Sequence, residues 1–116
     1  MDLEVTVDDI APGCKVVRAV GEIDLHSVEF FQESVEECLS AKPMALLFDM
    51  SKVTYISSSG IGILMVSYAD LADRDGKLVF VGVQDPVKEA LRLVALLDMA
   101  LVAATEKEAL ELLAAS

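Results

Sequence analysis

Three consecutive hydroxyls and a glycine, Ser57-Ser58-Ser59-Gly60, stand between the apolar run Ala45-Leu46-Leu47-Phe48 and an amphipathic stretch from Ile61 to Arg74. Serine oxygens at such a strand-to-helix junction do two kinds of chemistry. One is capping, because a helix N-terminus leaves backbone N–H groups unpaired and a serine oxygen satisfies them. The other is acceptance of a phosphoryl group, whose negative charge the same helix end favours. Three hydroxyls exceed what capping needs. Gly60 lets another backbone come close and Gly62 thins the first helical turn, which opens the hydroxyls to a partner protein or a kinase active site.

Catalytic use of these serines finds little support. A nucleophile elbow needs glycine two residues before and two after the serine, and around Ser58 those positions hold Ile56 and Gly60. The single histidine, His26, lies far along the chain and reads as a surface residue near a helix start. A small serine-dependent enzyme would have to recruit His26 or an external base. The phosphate-cradling run that ends in Gly-Lys-Ser/Thr is absent, and Gly60-Ile61-Gly62 alone is a poor nucleotide signal. Neither a metal site nor a cofactor is expected. Among the carboxylates, Asp24 and Asp49 fall at predicted strand ends and are expected on the same rim as the serines. Each has two readings there, Asp24 as helix cap or partner contact, and Asp49 as acceptor for loop amides or partner contact.

Hydrophobic periodicity supplies the scaffold. Leu3, Val5 and Val7 alternate with polar residues as a half-exposed strand, and Asp8 to Gly13 reads as a turn. Cys14 to Val20 is the returning strand, ended by Gly21. A helix follows from about His26-Ser27, with Val28, Phe31, Val35, Cys38 and Leu39 at helical spacing, until Lys42-Pro43 breaks it. Met44 to Asp49 is apolar enough for a central strand covered on both faces. After the serines, Ile61, Leu64, Met65, Tyr68, Leu71 and Ala72 form a helical stripe stopped by Asp75-Gly76, with Ser67, Asp70 and Asp73 on the exposed side. Lys77 to Val83 is a buried strand, and Asp85-Pro86 opens a helix carrying Val87, Ala90, Leu91, Val94 and Leu97, the acid as N-cap. Ala100 to Ala104 is a short last strand, and Thr105 with Glu108 forms a capping box for a terminal helix.

The predicted fold is therefore α/β, one domain over 1–116 with a mixed, mostly parallel sheet of about five strands and about four helices. In open sheets of this kind, ligands and switches sit beyond the carboxyl ends of the strands, where the serines lie. At 116 residues the chain buries roughly two-thirds of the surface its unfolded form exposes. A formal net charge of -11 argues against nucleic acid and anionic membranes, which need clustered Lys and Arg. It suits a basic protein partner, or solubility alone. Cys14 and Cys38 form no CxxC pair and read as reduced, buried thiols of a cytoplasmic protein. No apolar run reaches membrane-spanning length and the N-terminus is acidic where a signal peptide is basic, so no membrane insertion is expected.

The segment Asp49-Met50-Ser51-Lys52-Val53-Thr54-Tyr55-Ile56-Ser57-Ser58-Ser59-Gly60-Ile61-Gly62 resembles the signature loop of STAS domains, in particular those of bacterial anti-sigma factor antagonists. Gly21-Glu22-Ile23-Asp24 is similar to that family's Gly-Glu-Leu-Asp motif, and the resemblance covers essentially the whole chain. It implies a non-enzymatic partner switch. An anti-sigma factor that is itself a serine kinase phosphorylates a loop serine and so releases the antagonist, and a serine phosphatase restores binding. Carried over by position, the acceptor is Ser58, with Ser57 as the next candidate because Ser57 stands where the family has an acid. Asp24, Asp49, Ser57, Ser59, Gly60, Ile61 and Gly62 would make the partner-binding rim. The resemblance also admits an unphosphorylated scaffold or a transporter-associated regulatory module, and a weak homodimer is compatible with either.

Overall fold

A computed structural model describes residues 3–115. Strands β1 (Leu3–Ala11) and β2 (Cys14–Ile23) form an antiparallel hairpin closed at Pro12-Gly13. The turn is tighter than the sequence suggested, because Asp8 and Asp9 stay in the ladder opposite Val16 and Lys15. Helix α1 (Val28–Ser40) leads to β3 (Ala45–Ile56), and α2 (Ser58–Ala72) leads to β4 (Lys77–Val81). Helices α3 (Val87–Leu93) and α4 (Leu96–Met99), strand β5 (Leu101–Ala103) and helix α5 (Glu106–Ala115) complete the order. The five strands lie in sequence order, with every pair after the hairpin parallel.

Alternation along the strands divides the core in two. Val17, Ala19, Leu46, Phe48, Met50, Leu78 and Phe80 face the layer built by α1 to α4. Cys14, Val16, Ala45, Leu47, Val79 and Val81 face α5. Three rings run through the larger core, Phe31 to Phe48 at 6.1 Å and Phe48 to Phe80 at 6.2 Å between centroids. All three are fully buried, and truncating such a ring to alanine costs about 3–5 kcal/mol.

The structure departs from the sequence reading at five points. Strand β2 does not stop at Gly21; it continues to Ile23, with Gly21 at φ 120, a conformation that suits glycine. Strand β3 runs seven residues past Asp49, its second half paired with β2 alone. The single helix expected after Asp85-Pro86 is two, because Ala95 adopts a left-handed conformation at φ 64 and turns the chain. Pro86, not Asp85, takes the N-cap position of α3. The last strand is shorter than Ala100 to Ala104, whereas Thr105 caps α5 as expected: Glu108 N–H donates to Thr105 Oγ1 at 3.1 Å, and the Glu108 carboxylate reaches back to the Ala104 N–H at 3.3 Å, one residue before the cap.

Candidate functional site

Parallel pairing of β2 with β3 puts Ile23 beside Ile56 at the carboxyl end of the sheet. One residue further on, the Ser57 N–H donates to the Ile23 carbonyl at 2.8 Å, so the loop after β2 and the serine junction form one rim. Ser57 is the N-cap of α2, in an extended conformation, and its Oγ accepts from Gly60 N–H at 3.2 Å. Its carbonyl accepts from Ile61 N–H at 3.0 Å. The Ser57 side-chain oxygen and carbonyl thus start the helix while its N–H ties it to β2, and the side chain is half-buried.

Ser58 and Ser59 are different. Both are exposed and occupy the first two helical positions, where helix geometry offers their N–H groups no carbonyl. Two outward hydroxyls thus flank unpaired donors at the positive end of a 15-residue helix. Gly60 follows, buried beneath them. A Cβ at Gly60 would lie 2.8 Å from both Ile23 Cγ2 and Ile56 Cγ1, so the first turn of α2 rests directly on the ends of β2 and β3. Ile61 and Gly62 are half-buried, and a Cβ at Gly62 would meet nothing within 4 Å.

Asp24 joins this rim and caps the turn into α1. Its Oδ1 accepts from the N–H groups of His26 at 2.9 Å and Ser27 at 3.1 Å, and the Ser27 hydroxyl lies 3.2 Å from the same oxygen. Partial burial pushes the Asp24 carboxyl up, but these donors outweigh it and hold the group below the usual carboxylate range. The fully buried Ser27 hydroxyl donates to the Glu22 carbonyl at 2.7 Å and accepts from Asp24 N–H at 3.0 Å. Sequence reasoning did not single out Ser27 as a brace. The same loop turns Leu25 outward, 81% exposed.

Asp49 does not lie at the rim. It sits within β3, opposite Arg18 of β2 and Val81 of β4, on the face covered by α5. On the order of 20 Å of strand separates it from the serines. Its Oδ1 accepts from the Ser51 hydroxyl at 2.8 Å and the Ser51 N–H at 3.1 Å. Beside it, Arg18 forks onto Glu106 of α5 through Nε at 2.8 Å and Nη2 at 2.9 Å, and its Nη1 reaches Asp8 of β1. Burial pushes the Asp49 carboxyl up, and the two Ser51 donors together with the Arg18 charge outweigh it and hold the group below the usual range. This cluster fastens α5 and β1 to the sheet. Ser67 is likewise not exposed as its helical position suggested: it is fully buried, and its hydroxyl is satisfied by the Ile63 carbonyl at 2.8 Å.

Among the described residues, no group of three His, Cys, Asp or Glu side chains is placed to hold a metal, and no helix is long and apolar enough to cross a membrane. The rim instead offers hydroxyls, a tied carboxylate and a helix end on a rigid support. A profile of the STAS domain family matches residues 6–109. The chain belongs to the STAS domain family. It is similar to the anti-sigma-B factor antagonist of Listeria monocytogenes, 26% identical over 83 residues that cover 72% of this chain and 73% of that one. Among solved structures, an anti-sigma factor antagonist from Mycobacterium paratuberculosis superposes with a TM-score of 0.83 at 26% identity, over 94% of this chain and 92% of that one. The phosphorylated form of the Bacillus cell fate determinant SpoIIAA shares the fold, with a TM-score of 0.77 at 18% identity over 95% and 99% of the two chains. The mixed five-stranded sheet of this STAS domain, with helices on both faces, is thus the expected fold.

Proposed function

We propose that this STAS domain is an anti-sigma factor antagonist, a cytoplasmic, non-enzymatic regulator that binds an anti-sigma factor serine kinase and is released when Ser58 is phosphorylated. The observation that carries the choice of residue is the division of labour in the serine run. Ser57 is spent as the N-cap, while Ser58 is exposed in the first turn beside unpaired N–H groups. The partner-binding rim comprises Asp24, Ser57, Ser59, Gly60, Ile61 and Gly62. Asp49, proposed from sequence as a rim residue, lies instead within β3, bonded to Ser51.

In the reaction, Ser58 Oγ attacks the γ-phosphorus of ATP held by the kinase. A new O–P bond forms, the bond to the bridging oxygen breaks, ADP leaves, and the hydroxyl proton passes to a base on the kinase. The product carries about -1.5 to -2 charges and three acceptor oxygens. On an exposed first-turn residue these meet the helix dipole, so the antagonist's own fold tolerates them, whereas an apposed protein surface must desolvate them. Loss of the complex follows. A serine phosphatase hydrolyses the ester and resets the protein.

The experiment is to incubate the protein with ATP and the anti-sigma factor kinases of its host, then map the phosphate by mass spectrometry. Label on Ser58, abolished in Ser58→Ala and kept in Ser57→Ala, supports the reading. Stable binding with no label, or label only on another residue, overturns the assignment.

A further inference from the structure

Strands β4 and β5 lie side by side and parallel, yet the chain leaves them in opposite directions. Helix α3, which follows β4, packs through Val87 and Leu91 on the face shared with α1 and α2. Helix α5, which follows β5, packs through Ala109 on the other face. No other neighbouring parallel strands of this sheet diverge in this way. Such divergence opens a crevice beyond the carboxyl ends of the two strands, the position at which open α/β sheets bind small ligands. A hollow of about 420 Å³ occupies that position here, a size that suits a small molecule. None of the rim residues around the serines lines it.

The floor is fixed by the strand ends. Gly82 N–H donates to the Ala103 carbonyl at 2.9 Å, tying the end of β4 to the end of β5. Gly82 adopts φ 66, and a Cβ there would lie 2.7 Å from Ser51 Cβ, so glycine lets this strand end settle against β3. Val83 and Leu97, both half-buried, and the exposed Val102 make the surface aliphatic. Two charged residues line the hollow, Lys88 from α3 and Glu108 from α5. Lys88 makes no ion pair among the described residues, and so is not bonded to Glu108. Glu108 is held in place by its bonds to Ala104 N–H at 3.3 Å and to Thr105 Oγ1 at 3.1 Å. The remaining polar side chain, Gln84, is neutral and reaches the Ser51 carbonyl at 3.4 Å.

One cation and one anion, contributed by helices on opposite faces of the sheet, select the chemistry of the ligand. A ligand of a single charge gains at one wall and is repelled at the other, whereas a zwitterion gains at both. We propose that this crevice binds a free α-amino acid with an aliphatic side chain, its carboxylate on Lys88, its ammonium on Glu108 and its side chain on Val83, Leu97 and Val102. The site is separate from the serines and does not depend on the antagonist reading.

The test is a titration of the nitrogen-15-labelled protein with L-leucine, followed by amide NMR. Saturable shifts of 82–84, 88, 97, 102–104 and 108 are expected, with a Kd on the order of 1 mM. The compound 4-methylpentanoate lacks the amine and 3-methylbutylamine lacks the carboxylate, and each should bind at least about tenfold more weakly than leucine. Lys88→Gln and Glu108→Gln should each weaken leucine by about the same factor. The second variant keeps an oxygen for the Ala104 N–H, and a dispersed spectrum shows that either variant is folded. Absence of saturable shifts, shifts centred elsewhere, equal binding of leucine and either half of it, or full affinity in the two variants would overturn the proposal. Kinase labelling of Ser58 is measured separately, so failure of the crevice and failure of the serine assignment are told apart.

Discussion

The backbone N–H of Ser57 donates to the carbonyl of Ile23 at 2.8 Å, and Gly60 lies against the Ile23 side chain one helical turn later. Ile23 thereby supports both the cap and the first turn of the helix that presents Ser58 and Ser59. A site meant to change charge without losing shape needs a support of this kind, because the phosphate's effect is then confined to whatever docks on it.

Gly60→Ala should disturb that support. A methyl 2.8 Å from two isoleucine side chains forces them to shift, and overpacking of this kind costs about 1–3 kcal/mol. Gly62→Ala, two residues away, should instead stabilise the protein by about 0.5–1 kcal/mol. Urea denaturation of the two variants checks the contrast. Equal effects of the same sign would contradict the packing described for the first turn of α2.

The two neighbouring serines should separate in stability. Ser57→Ala removes the N-cap acceptor and should cost about 1 kcal/mol, whereas Ser58→Ala, exposed, should stay within about 0.5 kcal/mol of the parent. Thermal and urea midpoints measured on both provide the comparison, and a larger loss for Ser58→Ala would mean that Ser58 is the true cap.

Much of this arrangement was legible in the sequence. The apolar run before the serines marked the central strand, and Thr105 with Glu108 marked the start of α5 correctly. The placement of Asp49 was not legible. It depends on β3 continuing through Ser51, Lys52, Thr54 and Tyr55, which are exposed and read locally as loop; only pairing with β2 makes them strand. Its neighbour Glu106 also lies far along the chain, brought in by α5. Ser67 misled for a simpler reason: a serine hydroxyl satisfied by the carbonyl four residues earlier is compatible with full burial, which its polarity hides.

Acid should weaken the fold through its tied carboxylates. Asp24 and Asp49 are held below their ordinary values, so their contribution is present above about pH 4, the unfolded carboxylate value, and is lost as pH falls through the depressed values. Urea midpoints should be level from pH 8 to about 5 and then decline. In Asp49→Asn the midpoint at pH 7 should be lower and the decline shallower. An unchanged slope in that variant would show that Asp49 does not share in the effect.

The cysteines should be inert in the native protein. Burial pushes the Cys38 thiol up to about 11 and also raises Cys14. A thiol reagent at pH 8 should label both at least a hundredfold faster in denaturant than in buffer. Because the folded values lie above the unfolded one, the thiols' contribution to stability is intact below about pH 8.5 and fades as pH rises towards 11. Fast labelling without denaturant would contradict the burial of these residues.

The central claim is that a phosphate on Ser58 releases the partner, and the direct measurement is the affinity of the host's anti-sigma factor kinase for two forms of this protein. Unmodified protein should bind with a Kd in the micromolar range or below, and protein phosphorylated at Ser58 should bind at least a hundredfold more weakly, about 2.7 kcal/mol, with its stability little changed. Equal affinity of the two forms would contradict the account.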